Sequence, residues 1–199
     1  HNRYSSNKQH TLKAWFQLIR PINLVLLMLT QYCIDWFILK PNFTKYGLHF
    51  TLNEWQFFLL VLSTTLICAG GYIINDYFDL NIDQVNKPDR TVIDKLIKRR
   101  WAIVLHLLFS FTAILISLYI DLNSSVFWLA GSNIICAFLL FGYSITLKKK
   151  LLWGNILISA LTAWVVIVCF LCYYKSFYCS NCDQVYFTLY NTRFIRISF

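Results

Sequence analysis

The chain has 199 residues, of which 58% are hydrophobic and only 14% charged, with a mean hydropathy of +0.54. Soluble domains carry about a quarter charged residues, so this balance excludes an ordinary aqueous fold and points to a lipid bilayer. The formal net charge of +9 does not imply nucleic acid, because the basic residues lie at the ends of long apolar runs, where they set orientation and meet anionic headgroups or substrates.

The first residue is His rather than Met, so the natural start is expected to be missing. No short apolar segment with a small-residue cleavage site is present, and a cleaved signal peptide is not expected. Five apolar runs follow, at approximately Ile22–Leu39, Gln56–Ile74, Trp101–Ile120, Val126–Leu147 and Leu151–Tyr174. Each approaches the roughly 20 residues that a helix needs to cross a hydrocarbon core. The runs are continuous rather than alternating, which selects helices over barrel strands. The expected fold class is therefore an all-α integral membrane bundle with about five spanning helices. Trp15, Trp36, Trp55, Trp101, Trp128 and Trp153 lie near the run ends, as an interfacial aromatic belt requires.

Thirteen of the 18 Lys and Arg residues fall in the N-terminal segment, the connection after the second run and the turn after the fourth. By the positive-inside rule these segments face the cytoplasm of a plasma or inner membrane. The sequons at Asn42 and Asn123 fall on the opposite side, and such triplets also arise by chance. From Lys175 on the chain loses any clean apolar span or amphipathic period. Residues 1–175 are read as one membrane domain and 176–199 as an atypical tail.

Five of the nine acidic residues lie between Asp76 and Asp94. Asp76, Asp79 and Asp83 are spaced i, i+3, i+7, which puts them within about 60° of one another on a helix. Three like charges on one face at a membrane border repel, and a hard divalent cation with oxygen ligands relieves the repulsion. Mg²⁺ characteristically takes one or two carboxylates, keeps waters and bridges to substrate phosphates. Lys87, Pro88, Asp89 and Arg90 come next. Pro88 forces a turn, and Lys87 and Arg90 are the residue types that hold phosphate oxygens. The residues alone leave two readings open: a metal and diphosphate site, or a solvated loop whose mixed charges pair with one another.

The string from Asn75 through Asp83, followed by Asn86-Lys87-Pro88-Asp89-Arg90, resembles the first aspartate-rich motif, N-D-x-x-D-x-x-x-D, of the UbiA prenyltransferase family. Arg20-Pro21-Ile22-Asn23 is similar to that family's R-P-x-N entry to its first helix. Tyr143 to Asn155, with Tyr143, Lys148 and Gly154-Asn155, resembles its connection between the fourth and fifth helices. The resemblance covers roughly residues 10–175. It implies a mostly helical membrane fold with a central cavity open to the lipid, and transfer of a prenyl chain from its diphosphate to an aromatic, quinone-precursor or glycerol-phosphate-lipid acceptor. It implies that Asn75, Asp79 and Asp83 hold Mg²⁺ and the diphosphate as the catalytic set, with Asp76 in support. It further implies that Lys87, Arg90 and Lys148 contact phosphate oxygens, and that Asn23, Tyr143 and Asn155 line the pocket. The partners implied are a prenyl diphosphate, a small acceptor and membrane lipid.

The same resemblance implies about nine spanning helices and a second aspartate-rich motif. Here about five spans are present, and beyond Asp121 the sole acidic residue is Asp183. The expectation is a truncated or frame-shifted member, or a fragment that works with a missing half. The alternatives are a prenyl-diphosphate-binding pseudoenzyme and, less favoured, a small cation transporter, which would place carboxylates at mid-membrane.

Among single residues, Asp35 is expected to snorkel to the interface, with a polar cavity as the alternative. His106 is expected to be packed or hydrogen-bonded rather than a general base. Gly70-Gly71 reads as a site of close helix packing. The cysteines of the apolar runs read as small hydrophobes. A zinc site built from Cys169, Cys172, Cys179 and Cys182 is disfavoured, because the first pair lies inside an expected span with no His nearby.

Overall fold

A computed structural model of the chain describes residues 18–46, 52–86, 99–124, 126–146, 152 and 154–172, with backbone alone for 80–86. Five helices span it: α1 Pro21–Lys45, α2 Glu54–Asn86, α3 Arg99–Ser124, α4 Leu129–Ile145 and α5 Gly154–Cys172. Four of the five are at least 18 residues long and apolar enough to cross a membrane, and α4 is an apolar helix of 17 residues. No strand occurs among the described residues. The chain is thus a multi-pass helical membrane protein. The division expected at residue 175 lies outside the described residues, as do Trp15, Trp153, Cys179 and Cys182.

Local signals in the sequence fix the helix ends. Pro21 opens α1 at a position where its missing N–H costs nothing. At the start of α2, Gln56 N donates to Asn53 Oδ1 (2.8 Å) and Asn53 N donates to Gln56 Oε1 (3.0 Å). This is a reciprocal capping box that satisfies two otherwise orphaned donors. The fourth run was expected to begin at Val126, but α4 begins at Leu129. Phe127 sits in the left-handed region (φ 61°), which interrupts the helix there. Asp121, buried in the last turn of α3, accepts the first two N–H groups of α4, from Leu129 (3.1 Å) and Ala130 (2.8 Å). The acidic segment beyond the expected run Gln56–Ile74, whose i, i+3, i+7 spacing suited a helix, is helical. With no Gly or Pro between Tyr72 and Asn86, α2 runs on for three more turns, as far as the described residues reach before Pro88.

Helix α2 is the central element, with 61% of its membrane span buried against 28% for α1 and α3 and 17% for α5. Its glycines explain how closely the neighbours approach, as the Gly-Gly pair suggested. A Cβ on Gly70 would stand 3.3 Å from the His106 ring on α3, and one on Gly71 would stand 2.9 Å from Leu140 on α4. His106 is buried and its Nδ1 lies 3.0 Å from the Gly70 carbonyl, so it is the expected packed, hydrogen-bonded histidine.

The largest packed cluster sits at the end of the bundle away from the acidic segment. It gathers Ile34, Phe57, Leu60, Ile120, Leu129 and Val168 from all five helices. Trp36, Trp55 and Trp101 are exposed near helix ends, as an aromatic belt requires. Between the two ends runs a layer of polar groups. Asn133 Nδ2 donates to Ser117 Oγ (2.6 Å), and Thr64 Oγ1 donates to Gln31 Oε1 (2.9 Å). In hydrocarbon such bonds hold helices together because the groups have no water to turn to.

Asp35 departs from expectation. Its side chain is fully buried rather than snorkelled, and it does not line the cavity described below. α1 widens into a π-turn over Asp35–Leu39. Lys40 Nζ then lies 2.9 Å from Asp35 and 2.7 Å from Glu54 at the head of α2. A buried carboxylate is tolerable here because a cation is held against it.

Candidate functional site

The acidic end of α2 meets the start of α1. Arg20 adopts a left-handed backbone (φ 53°, ψ 60°), uncommon for a residue with a side chain, while its carbonyl accepts the Asn23 N–H (3.0 Å) and begins the helix. The turn carries the guanidinium across to α2. There Nη2 lies 2.7 Å from Asp76 Oδ1, and the group stands 5.2 Å from the centre of the Tyr72 ring. Tyr72 and Asp76 are one helical turn apart, so a single arginine engages both. Arg20 was legible as part of the R-P-x-N string, but its pairing with the motif's second residue was not.

Next to Asp76, Asn75 Nδ2 donates a long hydrogen bond to Asp79 Oδ2, one turn further on (3.4 Å). Asn75, Asp76 and Asp79 are all half-buried. The backbone of Asp83 continues the same helix one further turn, and its side chain is outside the described set. Lys87, Arg90 and Lys148 also lie outside the described residues.

From this end a cavity of about 510 Å³ opens into the bundle between α1, α2, α4 and α5. Arg20, Asn23, Tyr72, Asn75 and Tyr143 line its polar mouth, and Leu26, Leu27, Ile67, Leu140, Ile158 and Leu161 give it apolar walls. Asn23, Asn75 and Tyr143 therefore share one cavity. Asn155 is exposed in the first turn of α5 and is not among the lining residues. The deeper lining residues Thr64 and Asn133 carried one signal that could have flagged them, since each is a polar side chain inside an apolar run.

Among the described residues no three His, Cys, Asp or Glu side chains converge as a metal cluster, which includes Cys169 and Cys172. Near the mouth α2 carries the Asn75 carboxamide, which lines the cavity, and two carboxylates, Asp76 next to it and Asp79 one turn on, all hard oxygen ligands. Arg20 already neutralises one carboxylate. Such a partial oxygen set fits Mg²⁺, which takes few protein ligands and completes its octahedron with water and phosphate.

The family model described as UbiA prenyltransferase family matches residues 43–190. Digeranylgeranylglyceryl phosphate synthase of Sulfolobus acidocaldarius is 39% identical over 115 residues, covering 54% of this chain and 38% of that protein. The enzyme of the same name from Thermococcus sibiricus is 30% identical over 76% of this chain and 49% of its own length. A solved structure concerned with digeranylgeranylglyceryl phosphate synthase in membranes superposes with a TM-score of 0.59 at 27% identity. It covers 78% of this chain and 50% of the other. The chain thus spans about half the length of the relatives it matches, or somewhat less. With three quarters of its residues inside the family match and a related structure superposing on most of its helices, this chain belongs to the UbiA prenyltransferase family.

Proposed function

We propose that this chain forms the donor-binding half of a Mg²⁺-dependent membrane prenyltransferase, and that its acceptor is a glycerol-phosphate lipid. The observation that carries the reading is that Asn75, bonded to Asp79, and Arg20, paired with Asp76, both line the mouth of an apolar cavity of about 510 Å³. A polar mouth above an apolar well matches an amphiphile with a charged head and a hydrocarbon tail. The acceptor class is supported by the names of the matching relatives.

In this reading the diphosphate sits at the level of Asn75 and Asp79, with Asp83 one turn beyond. Mg²⁺, when bound, neutralises the phosphate oxygens and stabilises the departing diphosphate. Asn75 and Asp79 hold the metal. Asp76 anchors Arg20, which brings a cation to the mouth without adding net charge there. Lys87, Arg90 and Lys148 supply further cations to the phosphate oxygens. The prenyl chain lies in the apolar well, with Asn23 and Tyr143 beside its reactive end. The allylic C–O bond breaks with its electron pair leaving on diphosphate. The acceptor hydroxyl oxygen bonds to the same carbon, and its proton passes to water or base. The basic residue distribution supports a mouth on the cytoplasmic side of a plasma or inner membrane.

The test is to purify the full chain in detergent, add radiolabelled geranylgeranyl diphosphate with Mg²⁺, and measure both binding and transfer to a glycerol-phosphate lipid. Mg²⁺-dependent binding with transfer supports the reading in full. Binding without transfer that is lost in Asp79→Ala supports the donor site and assigns catalysis to a further segment or partner. Absence of Mg²⁺-dependent binding overturns the proposal.

A further inference from the structure

About 16 Å from the level of Asn75, at 1.5 Å per residue along α2, polar side chains line the cavity a second time. They are Thr30 of α1, Thr64 of α2, Asn133 of α4 and Thr162 of α5. Hydrogen bonds put the four in one tier. Thr64 bonds Gln31, the neighbour of Thr30 (2.9 Å), and Gln31 reaches the Val165 carbonyl, one turn from Thr162 (3.4 Å). Asn133 reaches Ser63, the neighbour of Thr64 (3.5 Å).

Every hydroxyl proton of this tier is already placed within the protein. Thr30 donates to the Leu26 carbonyl (2.8 Å) and Thr162 to the Ile158 carbonyl (2.9 Å). The single proton of Thr64 has Gln31 Oε1 and the Val61 carbonyl within reach, each at 2.9 Å. The three oxygens keep lone pairs only. The same reasoning orients the Asn133 amide. Ser117 Oγ gives its proton to the Ala113 carbonyl (2.9 Å), and Ser63 Oγ gives its own to the Leu60 carbonyl (2.9 Å). Both serines can then only accept, so the group turned to them is Nδ2, at 2.6 Å from Ser117, and the group left over is Oδ1. Asn133 is 4% exposed, and among the described residues its Oδ1 has no hydrogen-bond partner, yet the atom is not sealed in packed protein. Asn133 shares the cavity face of α4 with Cys136, Leu140 and Tyr143. A buried carbonyl oxygen facing a cavity without a donor is a site that asks for one.

We infer that this tier binds the hydroxyl of a neutral alcohol dissolved in the bilayer. The alcohol gives its proton to Asn133 Oδ1, and its apolar part lies against Ile67, Leu161 and Trp164, which line the same cavity. Thr30 and Thr162 are exposed, as are Leu26 and Ile158 one turn away, so the tier is reached from the lipid side. Acceptors alone cannot pair with an ether or a ketone, which have no proton to give. An anion is excluded too, because the one cation among the lining residues is Arg20, at the mouth. The inference stands apart from the diphosphate reading, whose groups lie at the other end of the cavity.

The test uses the full chain in lipid nanodiscs and an octanol carrying a diazirine, with the labelled residues mapped by mass spectrometry. Unlabelled octanol and octyl methyl ether compete at equal mole fraction in the bilayer. The label is expected on α4 and α5 beside Asn133 and Thr162, with octanol displacing it about tenfold better than the ether. Asn133→Leu removes that preference. Thr30→Val combined with Thr162→Val, at exposed positions that leave the packing intact, lowers it about threefold even if Asn133→Leu fails to fold. Equal displacement by alcohol and ether overturns the inference, and that is also the result if the tier holds only a water molecule. Labelling confined to the helix ends overturns it as well. So does a preference unchanged in the threonine pair or retained by a folded Asn133→Leu.

Discussion

Two ion-pair systems lie at opposite ends of the α1–α2 pair, built from the same chemistry and doing different work. At one end Lys40 joins Asp35 to Glu54; at the other Arg20 joins Asp76. The Asp35 side chain is 0% exposed and Lys40 25%, whereas Arg20 is 43% and Asp76 26% exposed. The first pair sits beside the packed cluster, and the second at the mouth of a cavity. A charge out of reach of water cannot exchange its partner without a large penalty, while a half-exposed pair can give way to a ligand. One end is a fastening and the other is a site.

The largest expected effect is at the fastening. Lys40→Met leaves Asp35 buried without its cation and costs about 3–5 kcal/mol of stability, read as a lower unfolding midpoint in detergent. A loss no larger than a surface pair gives would erase the contrast between the ends. Next is Asp79→Ala, expected to weaken Mg²⁺-dependent donor binding on the order of 100-fold or more while the unfolding midpoint stays near that of the natural chain. Binding and stability falling together would show that the acidic end is structural too. Asp121→Ala removes the acceptor for two N–H groups at the head of α4 and should cost about 1–2 kcal/mol, with donor affinity unchanged. Smallest in stability is Arg20→Ala, below about 1 kcal/mol for so exposed a pair, yet it should weaken donor binding several-fold. Titration of the donor against the variant separates the two readouts.

How much of this was legible in the sequence differs between the two ends. The spans were readable because hydrocarbon demands long apolar runs, and the Asn75–Asp83 string marked the acidic end by its helical spacing. The length of α2 was less legible, because the apolar run ends at Ile74 while nothing before Pro88 stops a helix. Asp35 was visible as a charge in a span, but its burial depends on a π-turn and on Glu54 from another helix, neither of which has a local signature. The Arg20–Asp76 pair joins residues 56 apart in sequence, so no local pattern could announce it. The same is true of the hydrogen bonds of Gln31, whose partners Thr64 and Val165 come from two other helices.

The central claim is that the end of α2 carrying Asn75 and Asp79 holds a divalent metal bridged to a diphosphate. Mn²⁺ in place of Mg²⁺ makes that measurable by pulsed electron paramagnetic resonance on the full chain with a prenyl diphosphate. The account expects phosphorus hyperfine coupling to the bound Mn²⁺ that disappears in Asp79→Ala and persists in Lys40→Met. Coupling that survives Asp79→Ala, or bound Mn²⁺ with no phosphorus nearby, would contradict it.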